Sequence, residues 1–197
     1  MLATVLSLML LLSAPGPTNT LLFRAGVLFG FRGAWRLVLI ECAAYLLQVS
    51  LWGAALIHFA FYSPWVMRCA QWVAVSYLLY VSYQLWQRKS ENTRLDRDGF
   101  SGRYFFLMTL MNPKGLLIAS FLAPADAFSS PRGYLAFMVV LAMVIVPVGA
   151  TWLLLGSRLE RRRGNWLTPV AIDRATAVTI CCFAAVLLGR LADELIH

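Results

Sequence analysis

The chain has 197 residues, of which 60% are hydrophobic and only 13% charged, with a mean hydropathy of +0.72 and a net charge of +8. A soluble domain carries about a quarter charged residues, so this composition cannot clothe a globular surface and points to an all-α integral membrane protein. The excess of positive charge would suit a nucleic acid, but its placement, taken loop by loop below, argues for no nucleic-acid partner.

A span needs ~20 apolar residues to cross ~30 Å of hydrocarbon, and six stretches qualify, at about 2–23, 37–61, 66–87, 104–123, 133–156 and 171–191. The first has neither a basic leading region nor an A-x-A cleavage site, so it reads as a retained span and not a signal peptide. It contains "LLSAPGPTNTLLF", residues 11–23, in which Pro15, Gly16 and Pro17 interrupt the helix. An interior proline costs a helix roughly 3 kcal/mol or more, through a lost hydrogen bond and a clash with the preceding turn. Entering from outside, Pro15 lies ~18 Å deep at 1.5 Å per residue, close to the bilayer midplane.

The second span carries Glu41 within "LVLIECAAYLL". About one turn inside the boundary, this acid has two readings. It is an interfacial glutamate reaching back to water, or a protonatable group coupled to a proton gradient.

The fourth span contains "LMNPKGLL", which places Asn112, Pro113 and Lys114 ~10 residues in, again near the midplane. A lysine at that depth costs several kcal/mol and needs a partner, a cavity or a substrate anion. A substrate carboxylate or an acidic side chain across the site is the expected partner. Asp126, after "FLAPA", reads as a solvated loop acid, and Pro147 in the fifth span as a kink. The sixth span is the weakest, because Asp173 and Arg174 shorten its apolar run.

Cys42, Cys69, Cys181 and Cys182 form no CxxC pair and no ligand-like spacing with His58 or His197. They read as small buried hydrophobes, with no metal or disulfide role. The basic residues sort by loop. Arg24, Arg32 and Arg36 fall in the first. Arg88, Lys89, Arg94, Arg97 and Arg103 fall in the third, and Arg158, Arg161, Arg162, Arg163 and Arg174 in the fifth. Only Arg68, Arg132 and Arg190 lie on the other side. By the positive-inside rule loops one, three and five are cytoplasmic and both termini face outward. Trp35, Trp65, Trp86 and Trp152 mark span ends, and the run Arg158–Arg163 reads as a solvated topogenic loop.

Pro15 and Pro113 are 98 residues apart, almost half the chain. Three spans per half give the halves opposite orientation, so the expected architecture is six transmembrane helices in a 3+3 inverted repeat. Its halves are about 1–98 and 99–197 of a single domain, with broken first and fourth helices. Interrupted spans at corresponding positions point to a transporter's central site, because bare backbone at that depth must be buried in protein or line a watery cavity. The bland alternative is that each proline merely kinks a packed helix. Half-helix N-termini favour a carboxylate and C-termini a cation, so a zwitterion is the natural occupant.

With "APGPTNTLLFRAG" near the N-terminus, "MNPKG" opening the second half and six spans, the chain resembles the lysine exporter family. That family includes the homoserine/threonine-type amino-acid exporters of bacterial inner membranes. The resemblance covers the full length, and "FLAP" at Phe121–Pro124 looks like the Pro-ended run that follows NPK in the family. It implies proton-driven export of amino acids or related small metabolites across the inner membrane. The substrate would sit at Pro15, Gly16, Pro17, Asn112, Pro113 and Lys114, with Thr18 and Asn19 beside them. Thr18 departs from the acidic or amide residue that often follows PGP, and Cys42, Ala43 and Ala44 replace the usual glycines of the second span.

Two other classes compete. A membrane enzyme or redox carrier would want a His or carboxylate cluster or paired cysteines, whereas the spans offer His58 and Glu41. An exporter of metal ions would want several intramembrane acids or thiolates. No G-x-x-x-x-G-K-[ST] motif occurs, so the chain is not a primary ATP-driven pump. No catalytic residue, cofactor or metal site is expected. The partners are a small-molecule substrate and the lipid bilayer, with a homodimer plausible on size.

Overall fold

The computed structural model describes residues 2–62, 64–87, 101–124, 126–161 and 169–196. Among them are seven α-helices: α1 (Leu2–Ser13), α2 (Pro17–Tyr62), α3 (Pro64–Gln87), α4 (Gly102–Leu110), α5 (Lys114–Leu117), α6 (Pro131–Arg161) and α7 (Pro169–Ile196). A π-turn, Ile118–Leu122, continues α5. Proline sets several of these boundaries. Pro17, Pro64, Pro131 and Pro169 are the first residues of α2, α3, α6 and α7, where the missing N–H has no intrahelical partner to lose. Ser101 opens α4 by accepting a hydrogen bond from the Arg103 N–H at 3.2 Å.

The first and fourth predicted spans are both broken, as the prolines require. The first stops at Ser13 and resumes at Pro17. The fourth stops at Leu110 and resumes at Lys114, with a bend of 43° between its pieces. The expected loop at 24–36 differs from what forms. The helix beginning at Pro17 runs straight on to Tyr62, broken only at Gly30, whose φ of 68° and ψ of 170° redirect the chain in a single residue. Sequence composition suggested a loop because three arginines lie there. Arginine is a good helix former, however, and Gly30 alone supplies the turn. Pro147 sits within the continuous α6.

Among the described residues, two helices are apolar and long enough by length and hydropathy to cross a membrane, Pro17–His58 and Pro131–Arg158, and the bent pair around Met111 makes a third. Glutamines and tyrosines along α3 and the charges of α7 dilute those helices. A larger core joins α1, α2, α3, α5, α6 and α7 around Leu8, Tyr45, Leu117, Leu141 and Leu187. A smaller one at the other end of α2 gathers Leu22, Val38, Phe105 and Leu153. The most extensive helix pairs are α2 with α6 and α3 with α7.

The α2–α6 pair is close because glycine faces backbone on each side. A Cβ on Gly26 would fall on the Leu153 carbonyl, and one on Gly156 on the Phe23 carbonyl. Small residues permit this approach where no water drives association. Arg32 and Arg158 border a common cavity of about 560 Å³ beside Gly30, and the Arg174 guanidinium lies 5.7 Å over the Trp86 ring. Trp35, Trp65 and Trp86 are exposed, as residues at a membrane boundary should be. The cysteines depart from expectation: Cys69, Cys181 and Cys182 are exposed on helix surfaces and only Cys42 is half-buried. Short apolar side chains do not need a protein core when the surroundings are themselves apolar.

Candidate functional site

The two breaks meet. A chain that leaves a helix must find partners for the terminal N–H and C=O groups, and here each break draws them from its own flank and from the other half of the sequence. At the end of α1 the exposed carbonyls are those of Leu12 and Ala14. Asn19, one turn into α2, folds back so that its Nδ2 donates to Leu12 O at 2.7 Å and to Ala14 O at 2.8 Å. Lys114 arrives from the fourth span, 100 residues away, and its Nζ donates to Ala14 O at 2.6 Å and reaches Leu12 O at 3.5 Å. A cation at a helix C-terminus is favoured by the dipole of the helix it ends.

Asn112 does the corresponding work at the second break. Its Oδ1 accepts from the Lys114 backbone N–H at 3.1 Å, which caps α5. Its Nδ2 donates to Thr18 Oγ1 at 3.1 Å and to Tyr45 Oη at 2.9 Å, and those two hydroxyls share a 3.4 Å contact. Its carbonyl accepts from Gln48 Nε2 at 2.6 Å. Asn112 therefore joins the two halves through both its side chain and its backbone.

Glu41 lies on the same face of α2 as Tyr45 and Gln48, four and seven residues on, which is the helical repeat of one face. It is 2% exposed, so it is not the interfacial residue that one reading of the sequence allowed. Thr18 and the Lys114 ammonium are the polar groups that act on its carboxylate. Gly149 of α6 covers its carboxylate.

All nine residues singled out from the sequence fall in this region. Gly16, Thr18, Asn19, Glu41, Asn112 and Lys114 are buried, while Pro15, Pro17 and Pro113 are half-buried. The lysine's hydrogen bonds differ from the expectation, since they go to backbone carbonyls. Gly16 makes room for it: a Cβ there would stand 3.3 Å from both Lys114 Cε and Nζ. Tyr45, Gln48 and Gly149 were not singled out. The polar spacing Glu41–Tyr45–Gln48 in an otherwise apolar helix was the signal that could have found the first two.

The site is closed. The void between the breaks and helices α3 and α7, lined by Ala14, Pro17, Leu78, Asn112, Lys114 and Ile180 among others, measures about 20 Å³, room for one water. Among the described residues one buried side-chain polar atom is unanswered: Gln48 Oε1 has no hydrogen-bond partner, beside Gly115. Among the described residues no group of three His, Cys, Asp or Glu side chains could hold a metal ion.

Residues 9–190 match the family model described as LysE type translocator. No curated protein and no solved structure matches the chain at a significant level.

Proposed function

The chain belongs to the LysE type translocator family, a family of transporters, and from that premise we propose that it exports amino acids or related small zwitterions by alternating access about its two broken helices. The meeting of the breaks carries this reading. Lys114 and Asn112 from one half close on Ala14, Leu12 and Thr18 from the other, so parting the halves uncovers a cation beside two carbonyls that keep an open lone pair next to their bond from Asn19. A substrate's carboxylate is matched by Lys114 and the N-terminal ends of the half-helices, and its ammonium by the carbonyl end of α1. Asn19 and Asn112 supply further hydrogen bonds.

Two observations support a pair of inverted halves as the moving parts. The breaks are separated by half the chain, and the leading helix contacts pair α2 with α6 and α3 with α7, counterparts under such a repeat. The 20 Å³ void means that substrate enters only when these parts move. Glu41, buried next to Lys114 and Thr18, is the group that carries the proton in a proton-coupled cycle. The side with more basic residues faces the cytoplasm of an inner membrane and both termini face outward.

The test loads cells with a panel of amino acids as dipeptides and follows efflux with and without the protein. Faster efflux of particular amino acids is the expected result. Equal efflux across the whole panel overturns the assignment. The metal-ion alternative is left without a donor set among the described residues.

A further inference from the structure

The carbonyl end of α1 is already filled by an ammonium group, and that group belongs to the protein. We infer that this end is an ammonium-binding seat for which Lys114 and an external primary ammonium compete, Lys114 holding it whenever the carrier is empty. The substrate's own α-ammonium is such a competitor, a point that rests on the export reading above.

Three observations carry the inference. The lysine Nζ is 2.6 Å from Ala14 O and 3.5 Å from Leu12 O, hydrogen bonds of a kind that any primary ammonium can make. Gly16 leaves the approach to those carbonyls open, and any larger residue would press on the lysine's Cε and Nζ. The neighbouring void of about 20 Å³ cannot hold a second ammonium-bearing molecule while the lysine stays.

Half-helix C-termini in other transporters hold coupling cations, and these two inward carbonyls, each already bonded to Asn19 Nδ2, keep a second lone pair that a cation can use. The tethered ammonium adds to the Asn19 amide at those carbonyls and occupies their open side between substrates. It lets the empty protein close without borrowing a metal cation from solution. Substrate loading then exchanges one ammonium for another, after which the released lysine is free to meet the substrate's carboxylate.

The experiment uses the purified full chain in lipid nanodiscs and reads the unfolding temperature. Methylammonium chloride is the probe, with N-methylglucamine chloride as the ionic-strength control. The wild type is expected to respond far less than the variants at the same probe concentration. Lys114→Met, which keeps the stem and removes the charge, is expected to melt lower but to recover by roughly 3–5 °C at about ten times the probe's Kd. Lys114→Ala is expected to respond to propylammonium, which replaces the missing length as well.

A wild type stabilised by methylammonium as strongly as Lys114→Met overturns the inference by itself, since Lys114 would then not be competing for the seat. Variants that fold yet ignore both amines overturn it too. Neither readout involves transport, so amine-responsive variants of a protein that moves no amino acid would sink the export reading while leaving the seat in place.

Discussion

Gly149 lies against the Glu41 carboxylate so closely that the smallest side chain added to it would overlap Oε2. Two helices from different halves are thus fitted around one buried acid. Gly149→Ala is expected to destabilise by about 1–3 kcal/mol through overpacking. The same change in a Glu41→Ala background is expected to cost much less, because the obstructing carboxylate is gone. A double-mutant cycle on thermal unfolding measures the difference. Additive losses would mean that the contact does not govern this packing.

Asn112 ties α5, Thr18, Tyr45 and Gln48 together. Asn112→Ala removes a helix cap and leaves neighbouring hydroxyls short of a donor, a loss of about 2–3 kcal/mol. Tyr45→Phe deletes one acceptor from the same amide and is expected to cost nearer 1 kcal/mol. Denaturation of both variants in the same detergent checks the order.

Proton coupling makes Glu41 the residue to neutralise. Glu41→Gln is expected to retain exchange of labelled for unlabelled substrate across proteoliposomes while net efflux stops responding to an imposed pH gradient. A gradient response equal to wild type would take the proton-carrying role away from this side chain.

The α2–α6 contact is expected to tolerate almost nothing at its glycines. Gly26→Ala and Gly156→Ala each push a methyl into a facing carbonyl, and each is expected to lower the unfolding temperature by several degrees, from about 1–3 kcal/mol of overpacking. Gly189, with nothing near its Cβ position, is the control: Gly189→Ala is expected to leave stability unchanged or slightly raised.

Orientation is tested by fusion. A C-terminal alkaline phosphatase is expected to be active and a C-terminal green fluorescent protein dark, because an outward terminus serves only the first. The reverse pattern contradicts the arrangement with both ends outside.

Position along the chain was enough to find the breaks. Proline acts through its own ring and its own missing donor, so Pro15, Pro17 and Pro113 mark local breaks, although Pro147 is carried within the continuous α6. The partner of Lys114 could not be found that way. Its burial demanded something polar, but a carbonyl carries no sequence label, and only the packing of α1 against the fourth span places Ala14 O within its reach. Tyr45 and Gln48 lie between these cases. Their spacing from Glu41 marks one helix face, while the meeting of that face with Asn112 belongs to tertiary structure. Gly30 went the other way: charge suggested a loop, and one positive φ replaced it.

The single-water void beside the breaks also bears on the passage of protons. Protons cross a membrane protein along unbroken files of water, and a space for one molecule makes no file. In the closed form the space beside the breaks therefore offers protons no continuous water path.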